Sequence, residues 1–401
     1  MKRDIKKGIF LLFALALTAG CKKPYYPEVI AAPNSYLVVE GMINSGSDST
    51  IIKLNHTVKL SGATNINPEL KAVLTVEGDD NSNYPLVEKP NGVYIFPGLN
   101  LNAAHKYHLR IRTTNGKEYL SNFEAVLNTP PVDSLAYHIQ SDGVSVNVNT
   151  HDPKNATRYY RWEYDETWIY TSAYQSFFKS NGDTILYRDL INDDIYTCWR
   201  TELATTIVLG SSAKLSHDVI SDMPITFISR HSDKIRSKVS ILVRQYGLSK
   251  DAYDFWQNLQ KNTQQLGSIF DAQPSQINGN IHSTSNANEP VIGYVSVGNY
   301  TTKRFFIDEH NLPAWIDPPS PATGCPAHGY FYKHIDPVSG LLFNQVDAYL
   351  NYKKSPSATE IPIEGIYDKL THERIGFTAS YPECVDCRLQ HGTNKQPDFW
   401  K

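Results

Sequence analysis

The sequence has little methionine (3 residues), only 5 cysteines in 401 residues, and no marked excess of either charge. Its formal charge is −3, from 38 Lys and Arg against 41 Asp and Glu. That balance offers no basic surface for a phosphate backbone, so no nucleic-acid partner is expected. Beyond residue 20 no stretch is apolar enough to cross a bilayer core, which takes about 20 consecutive apolar residues. The chain also lacks a Gly-x-Ser-x-Gly elbow, a phosphate-binding loop and a His-Glu-x-x-His helix. Those gaps remove the usual signatures of serine hydrolases, nucleotide enzymes and zinc proteases. The sequence therefore nominates no catalytic residue, no metal site and no cofactor, and a non-enzymatic protein is expected.

What is present begins at the N-terminus. Lys2, Arg3, Lys6 and Lys7 precede an almost wholly apolar run, Gly8–Leu17. A basic flank and a short apolar stretch read as a signal peptide over residues 1–20. Thr18-Ala19-Gly20 then lead into Cys21. Small residues before a cysteine suit cleavage and lipidation at that thiol. Thr18 departs from the Leu, Val or Ile usual at its position, and Leu17 stands one place earlier. Lipid on Cys21 would hold the chain to a membrane, since each buried CH₂ contributes ~0.8 kcal/mol. Residues 21–34 contain Pro24, Pro27 and Pro33 and read as an extended tether.

The body is expected to be mainly β. Tyr is abundant (25) and Val, Ile and Thr recur in short runs, a composition that suits strands. Tyr107, Leu109 and Ile111 alternate with polar residues, as do Ala72, Leu74 and Val76, the two-residue period of a half-buried strand. Asn91-Gly92 and Asn115-Gly116 supply hairpin turns. Residues 35–128 thus read as a small immunoglobulin-like or transthyretin-like sandwich. Thr129-Pro130-Pro131 makes a break, and 132–401 reads as a larger β-rich domain. In it Val144, Val146 and Val148 alternate with polar residues, and Val239–Tyr246 and Val291–Val297 read as strands. One amphipathic helix is expected at about 250–266, capped by Ser249 and stopped by Gly267, with Ala252, Phe255, Trp256 and Leu259 on one side. No internal repeat is visible.

Cys198, Cys325, Cys384 and Cys387 form an even set in an exported chain, which points to two disulfides. The expected pairing joins the tail motif Cys384-Val385-Asp386-Cys387 to Cys198 and Cys325. A redox pair, or half a zinc site completed by Cys198, Cys325, His328 or His391, is the alternative; no helical pattern follows the motif. Glu77–Asn81 could hold calcium or form a solvated turn. Tyr160, Trp162, Tyr164, Trp168 and Tyr170 fall on one face of a strand. Aromatics at that period pack cores more often than they face solvent, yet Trp162, Trp168, Tyr170 and Tyr174 lead towards a loop and are candidates for an aromatic contact surface. The stretch from Thr171 to Arg200, centred on Asn181-Gly182, reads as a long hairpin excursion and a second contact candidate.

PITFISR (Pro224–Arg230), GSIFDAQPSQINGNI (Gly267–Ile281), EPVIGYVSV (Glu289–Val297), RFFID (Arg304–Asp308), ECVDCR (Glu383–Arg388) and PDFW (Pro397–Trp400) follow one another in order. Over nearly the whole mature chain this series resembles a Bacteroidetes outer-membrane lipoprotein family catalogued as "domain of unknown function 4249". The resemblance implies an outer-membrane lipoprotein that works beside a TonB-dependent receptor, as an accessory or cargo-binding subunit. It brings no catalytic residue with it. Lys22 and Lys23 stand where some such lipoproteins carry an acidic surface-export run, so the leaflet is left open. A carbohydrate-binding or adhesive surface protein without a transporter is the competing reading. A hydrolase or redox protein built on Cys384 and Cys387 is the third.

Overall fold

The computed structural model describes residues 35–58, 66–264, 279–314, 320–335, 337–353 and 360–400. The signal peptide, Cys21 and the tether lie outside the described residues, as do Leu266, Gly267 and most of the motif at 267–281. Among the described residues no helix is long and apolar enough to cross a membrane.

The first sandwich is built from β1 (Leu37–Asn44), β2 (Thr50–His56), β3 (Val73–Gly78), β4 (Asn83–Pro85), β5 (Val87–Lys89), β6 (Val93–Phe96), β7 (Lys106–Arg112) and β8 (Glu118–Ser121). One sheet runs β1-β2-β6-β5 and the other β8-β7-β3-β4, all antiparallel. Strand alternation sends Leu37, Val39, Ile52, Leu54, Leu74, Val76, Leu109 and Ile111 into one shared core. Asn91 and Gly92, both at positive φ (63° and 69°), turn the chain from β5 to β6. His108, on β7, is buried, with Nε2 3.0 Å from Glu77. Asp79 lies 2.8 Å from His105 and Asp80 accepts from the Ser82 amide, so the acidic segment forms a turn.

The second sandwich repeats this connectivity. Its strands are β9 (Val132–Ile139), β10 (Gly143–His151), β11 (Tyr159–Thr171), β12 (Thr197–Leu203), β13 (Val208–Ser211), β14 (Val219–Ser229) and β15 (Lys238–Leu248). The helix α1 (Lys250–Gln264) follows, and after it β16 (Ile281–Ser283), β17 (Val291–Ile292), β18 (Val297–Gly298) and β19 (Tyr300–Asp308). One sheet runs β9-β10-β14 and the other β12-β11-β15-β19, with β13 also on β11. In both sandwiches the first two strands share a sheet with a later one (β6 or β14), and the facing sheet carries the matching order β8-β7-β3-β4 or β19-β15-β11-β12, an immunoglobulin-like Greek key. The repeat lies in topology, not in residue identity.

Two boundaries differ from the sequence reading. The expected strand Val291–Val297 is two short pieces, and with β16 they return to the first sandwich. There β17 and β18 pair parallel with β1, and β16 pairs antiparallel with β8. The first unit is therefore completed by residues that 132–401 was expected to keep. The larger part also holds more than one sandwich and one helix. His328–Phe331, Arg374–Ser380 and Ile361–Tyr367 form a separate three-stranded sheet with a short helix, Gln345–Lys353, beside it.

The Thr171–Arg200 excursion contains the hairpin Phe178–Ser180 and Ile185–Tyr187, with Gly182 at φ +93° in its turn. Phe178 and Ile185 bury themselves with Val346, Tyr349 and Phe377 of the small sheet unit. Part of the expected contact surface is thus a core. Tyr187 and Ile191 nevertheless remain strongly exposed.

Candidate ligand-binding cleft

Helix α1 forms as its sequence dictates. The Ser249 hydroxyl accepts from the Ala252 amide at 3.2 Å, and Ala252 and Phe255 are buried with Tyr246, Leu248 and Tyr294. Its other apolar residues, Trp256 and Leu259, are left partly buried. They form one wall of a cleft of about 700 Å³ between the two sandwiches. The opposite wall is the outward face of β1 and β2, with Val38, Glu40, Met42, Ile51 and Lys53. Ala204–Ile207 close one side. Ligand sites favour such domain junctions, and this volume is ordinary for them.

The floor is the outward face of β11 and β15. Arg161 stacks between two rings, its guanidinium carbon 4.6 Å from the centre of Tyr246 and 4.0 Å from that of Trp256. Guanidinium over an aromatic face is attractive, and more so when partly desolvated. Arg161 Nη1 meets Glu163 at 2.8 Å, and the Tyr246 hydroxyl donates to the same carboxylate at 2.7 Å. One rung on, Arg244 grips Asp165 with both Nη atoms. Burial, then the Glu163 charge, pushes the Tyr246 phenol above its ordinary pKa, so it stays a donor. Burial, then Asp48, does the same at Tyr300. Buried Arg161 Nε has no hydrogen-bond partner among the described residues.

Close backbone approach shapes the rim. Gly41 (φ +130°) and Gly293 (φ +144°) both line the cleft, and a Cβ on either would sit 2.2 Å from a backbone oxygen of the neighbouring strand. Only glycine fits there without displacing β1. Among the described residues, no three or more His, Cys, Asp or Glu side chains gather as a metal ion would require.

A family model described as Domain of unknown function (DUF4249) matches residues 22–304, more than half of the chain. The chain belongs to this family. The DUF4249 match stops within β19, short of the ECVDCR and PDFW blocks that the sequence reading had included. Comparison with curated proteins gave no match. Among solved structures, a two fibronectin type-III domain segment from chicken tenascin is similar over 54% of this chain and 93% of that one. Identity there is 10% and the TM-score 0.16, so the Greek-key description rests on strand order alone.

The residues singled out in this DUF4249 chain lie away from the cleft or beneath it. Cys198 is bonded to Cys387 and Cys325 to Cys384, so both cysteines of the tail motif are tied to the body. All four thiols are consumed, which leaves none for a redox pair or a zinc site. Cys384 also lies in a short helix, Pro382–Val385, that the sequence pattern did not suggest.

The aromatic contact surface is corrected outright. Trp162, Trp168 and Tyr170 point into the second sandwich core with Tyr160 and Tyr164, because β9, β10 and β14 cover that face of β11. The Tyr170 hydroxyl donates to the Cys387 carbonyl, and half-buried Tyr174 donates to the Cys325 carbonyl at 2.7 Å. Both tyrosines therefore brace the disulfides. Glu166 continues the same buried face and is held by Lys234 Nζ at 2.5 Å. The sequence reading missed the cleft itself. Its one available signal was Trp256, a large ring at the edge of the helical stripe.

Proposed function

We propose that this chain is a non-enzymatic binding protein, tethered to an outer membrane through lipid on Cys21, whose interdomain cleft takes up cargo for a TonB-dependent receptor. The observation that carries the binding part is the cleft: about 700 Å³, with a floor that holds an aromatic ring and charges already paired with one another. Such a wall can orient a ligand by hydrogen bonds. The protein's own charge pairs satisfy one another when the cleft is empty. The N-terminal pattern of Lys2–Lys7, the apolar run and Cys21 supports the anchor, and family membership supports the receptor partner by analogy only.

Purification of the full lipidated chain from its native membrane in mild detergent tests the partner. A TonB-dependent receptor is expected to co-purify in near-stoichiometric amount. Recovery of the chain alone would remove the receptor from the account, and glycan-array binding by that solitary protein would favour the carbohydrate-binding surface role instead.

A further inference from the structure

The cleft opens onto an apolar track. Met42 stands opposite Ile51 on β2, Ile51 opposite Ile95 on β6, and Ile95 opposite Val87 on β5. Directly paired residues share a face, so the four side chains make one rung across four strands. Three steps of about 4.8 Å make it about 14 Å long. Its outer end is open, with Val87 59% and Ile51 44% exposed, while Met42 packs against the α1 cluster. The rung therefore leads from the surface into the space before Trp256 and Leu259. Single exposed apolar residues need no explanation, but an aligned series that ends in a cleft does.

Charge narrows the ligand further. On the floor, Arg161 meets Glu163 and Arg244 meets Asp165. An ionic head group seated on that floor would have to break one of these pairs and leave a partly buried charge alone. Sugar stacking is disfavoured too. Tyr246 and Phe255 are buried, and one face of Trp256 already carries Arg161.

We infer that the cleft and its track bind an uncharged molecule carrying a flexible hydrocarbon chain. The chain lies along Val87, Ile95, Ile51 and Met42, and its polar end meets the hydrogen-bonding wall that includes Arg161 and Glu163. This inference rests on the cleft being the cargo site.

The test uses the full chain and the neutral fluorophore phenylnaphthylamine, displaced in turn by dodecanol, dodecanoate and cellohexaose. Wild-type protein is expected to bind the fluorophore and to release it to dodecanol at about one-tenth the concentration needed for dodecanoate, a factor worth ~1.4 kcal/mol. Val87→Glu and Ile51→Glu, on exposed positions, are expected to weaken binding about tenfold each with little change in thermal midpoint. Unchanged binding by both variants, equal displacement by the carboxylate, or displacement by the oligosaccharide would overturn the inference. If no fluorophore binds while native membrane extract still slows hydrogen exchange in β1 and α1, the cleft stands and the hydrocarbon class falls. If neither occurs, both fall.

Discussion

Replacing Trp162 with alanine is expected to cost about 3–5 kcal/mol, the usual range for removing a large buried aromatic. The ring is 0% exposed and lies at the centre of the second sandwich, stacked on Tyr160 with centroids 5.7 Å apart. It leaves no room across the sheet: a Cβ at Gly210 would sit 2.7 Å from the indole. Its Nε1 donates to Gln245 Oε1 at 2.8 Å. Gln245 Nε2 in turn donates to the Pro130 carbonyl and the Thr150 hydroxyl, at 2.8 and 2.9 Å. The alanine variant thus opens a cavity and strands a buried acceptor. Trp162→Phe keeps much of the volume and loses the hydrogen bond, so a smaller loss of about 1–3 kcal/mol is expected. Denaturant unfolding followed by tryptophan emission measures both. A near-neutral alanine variant would mean the ring is not part of this core, and would revive its role as a contact surface.

The second large effect concerns the tail. Cys198→Ser with Cys387→Ser is expected to cost about 2–5 kcal/mol, the range for losing a native disulfide. The sequence separation is 189 residues for this bridge and 59 for Cys325–Cys384. Loop-closure entropy alone makes the longer bridge worth about 1 kcal/mol more. Its loss also frees the segment that follows. Trp400 packs edge-on against Trp199 and Phe306, and Phe399 lies under the Arg304 guanidinium. The double variant should therefore show faster proteolysis after His391, whereas Cys325→Ser with Cys384→Ser should leave that tail protected. Equal tail cleavage in the two variants would contradict the assigned roles.

Much of the fold was legible because strands declare themselves by a period of two. The face Tyr160, Trp162, Tyr164, Trp168 and Tyr170 was read from spacing alone, and it is one face. Its direction was not legible, since alternation gives a face but not what covers it. Val144, Val146 and Val148 were read as buried, but their neighbours Ser145 and Asn147 are buried too, paired with each other at 2.7 Å. Hydrogen bonding let polar residues occupy what looked like a solvated face.

The return of β16, β17 and β18 to the first sandwich escaped notice for a different reason. Strands of two or three residues have no period to detect, and their partners lie more than 150 positions away. The even cysteine count announced cross-links, while the placement of Cys198 on β12 beside the tail decided the partners. The cleft could not be read at all. It draws Met42, Ile51, Arg161, Arg244 and Trp256 from separate segments, and each segment alone resembles an ordinary strand or helix surface. Even the pairing that makes its ligand uncharged, Arg161 with Glu163 and Arg244 with Asp165, depends on which side of β11 and β15 faces outward.

Cargo is expected to occupy the space between the two sandwiches. Hydrogen exchange of the full chain, with and without an extract of its native membrane, tests this most directly. Slowed exchange is expected in Leu37–Asn44, Thr50–His56 and Lys250–Gln264, the elements that wall the cleft, with the small sheet unit unchanged. Protection confined to Phe177–Ile191 and Ile361–Tyr367, with the cleft elements exchanging at their free rates, would contradict it.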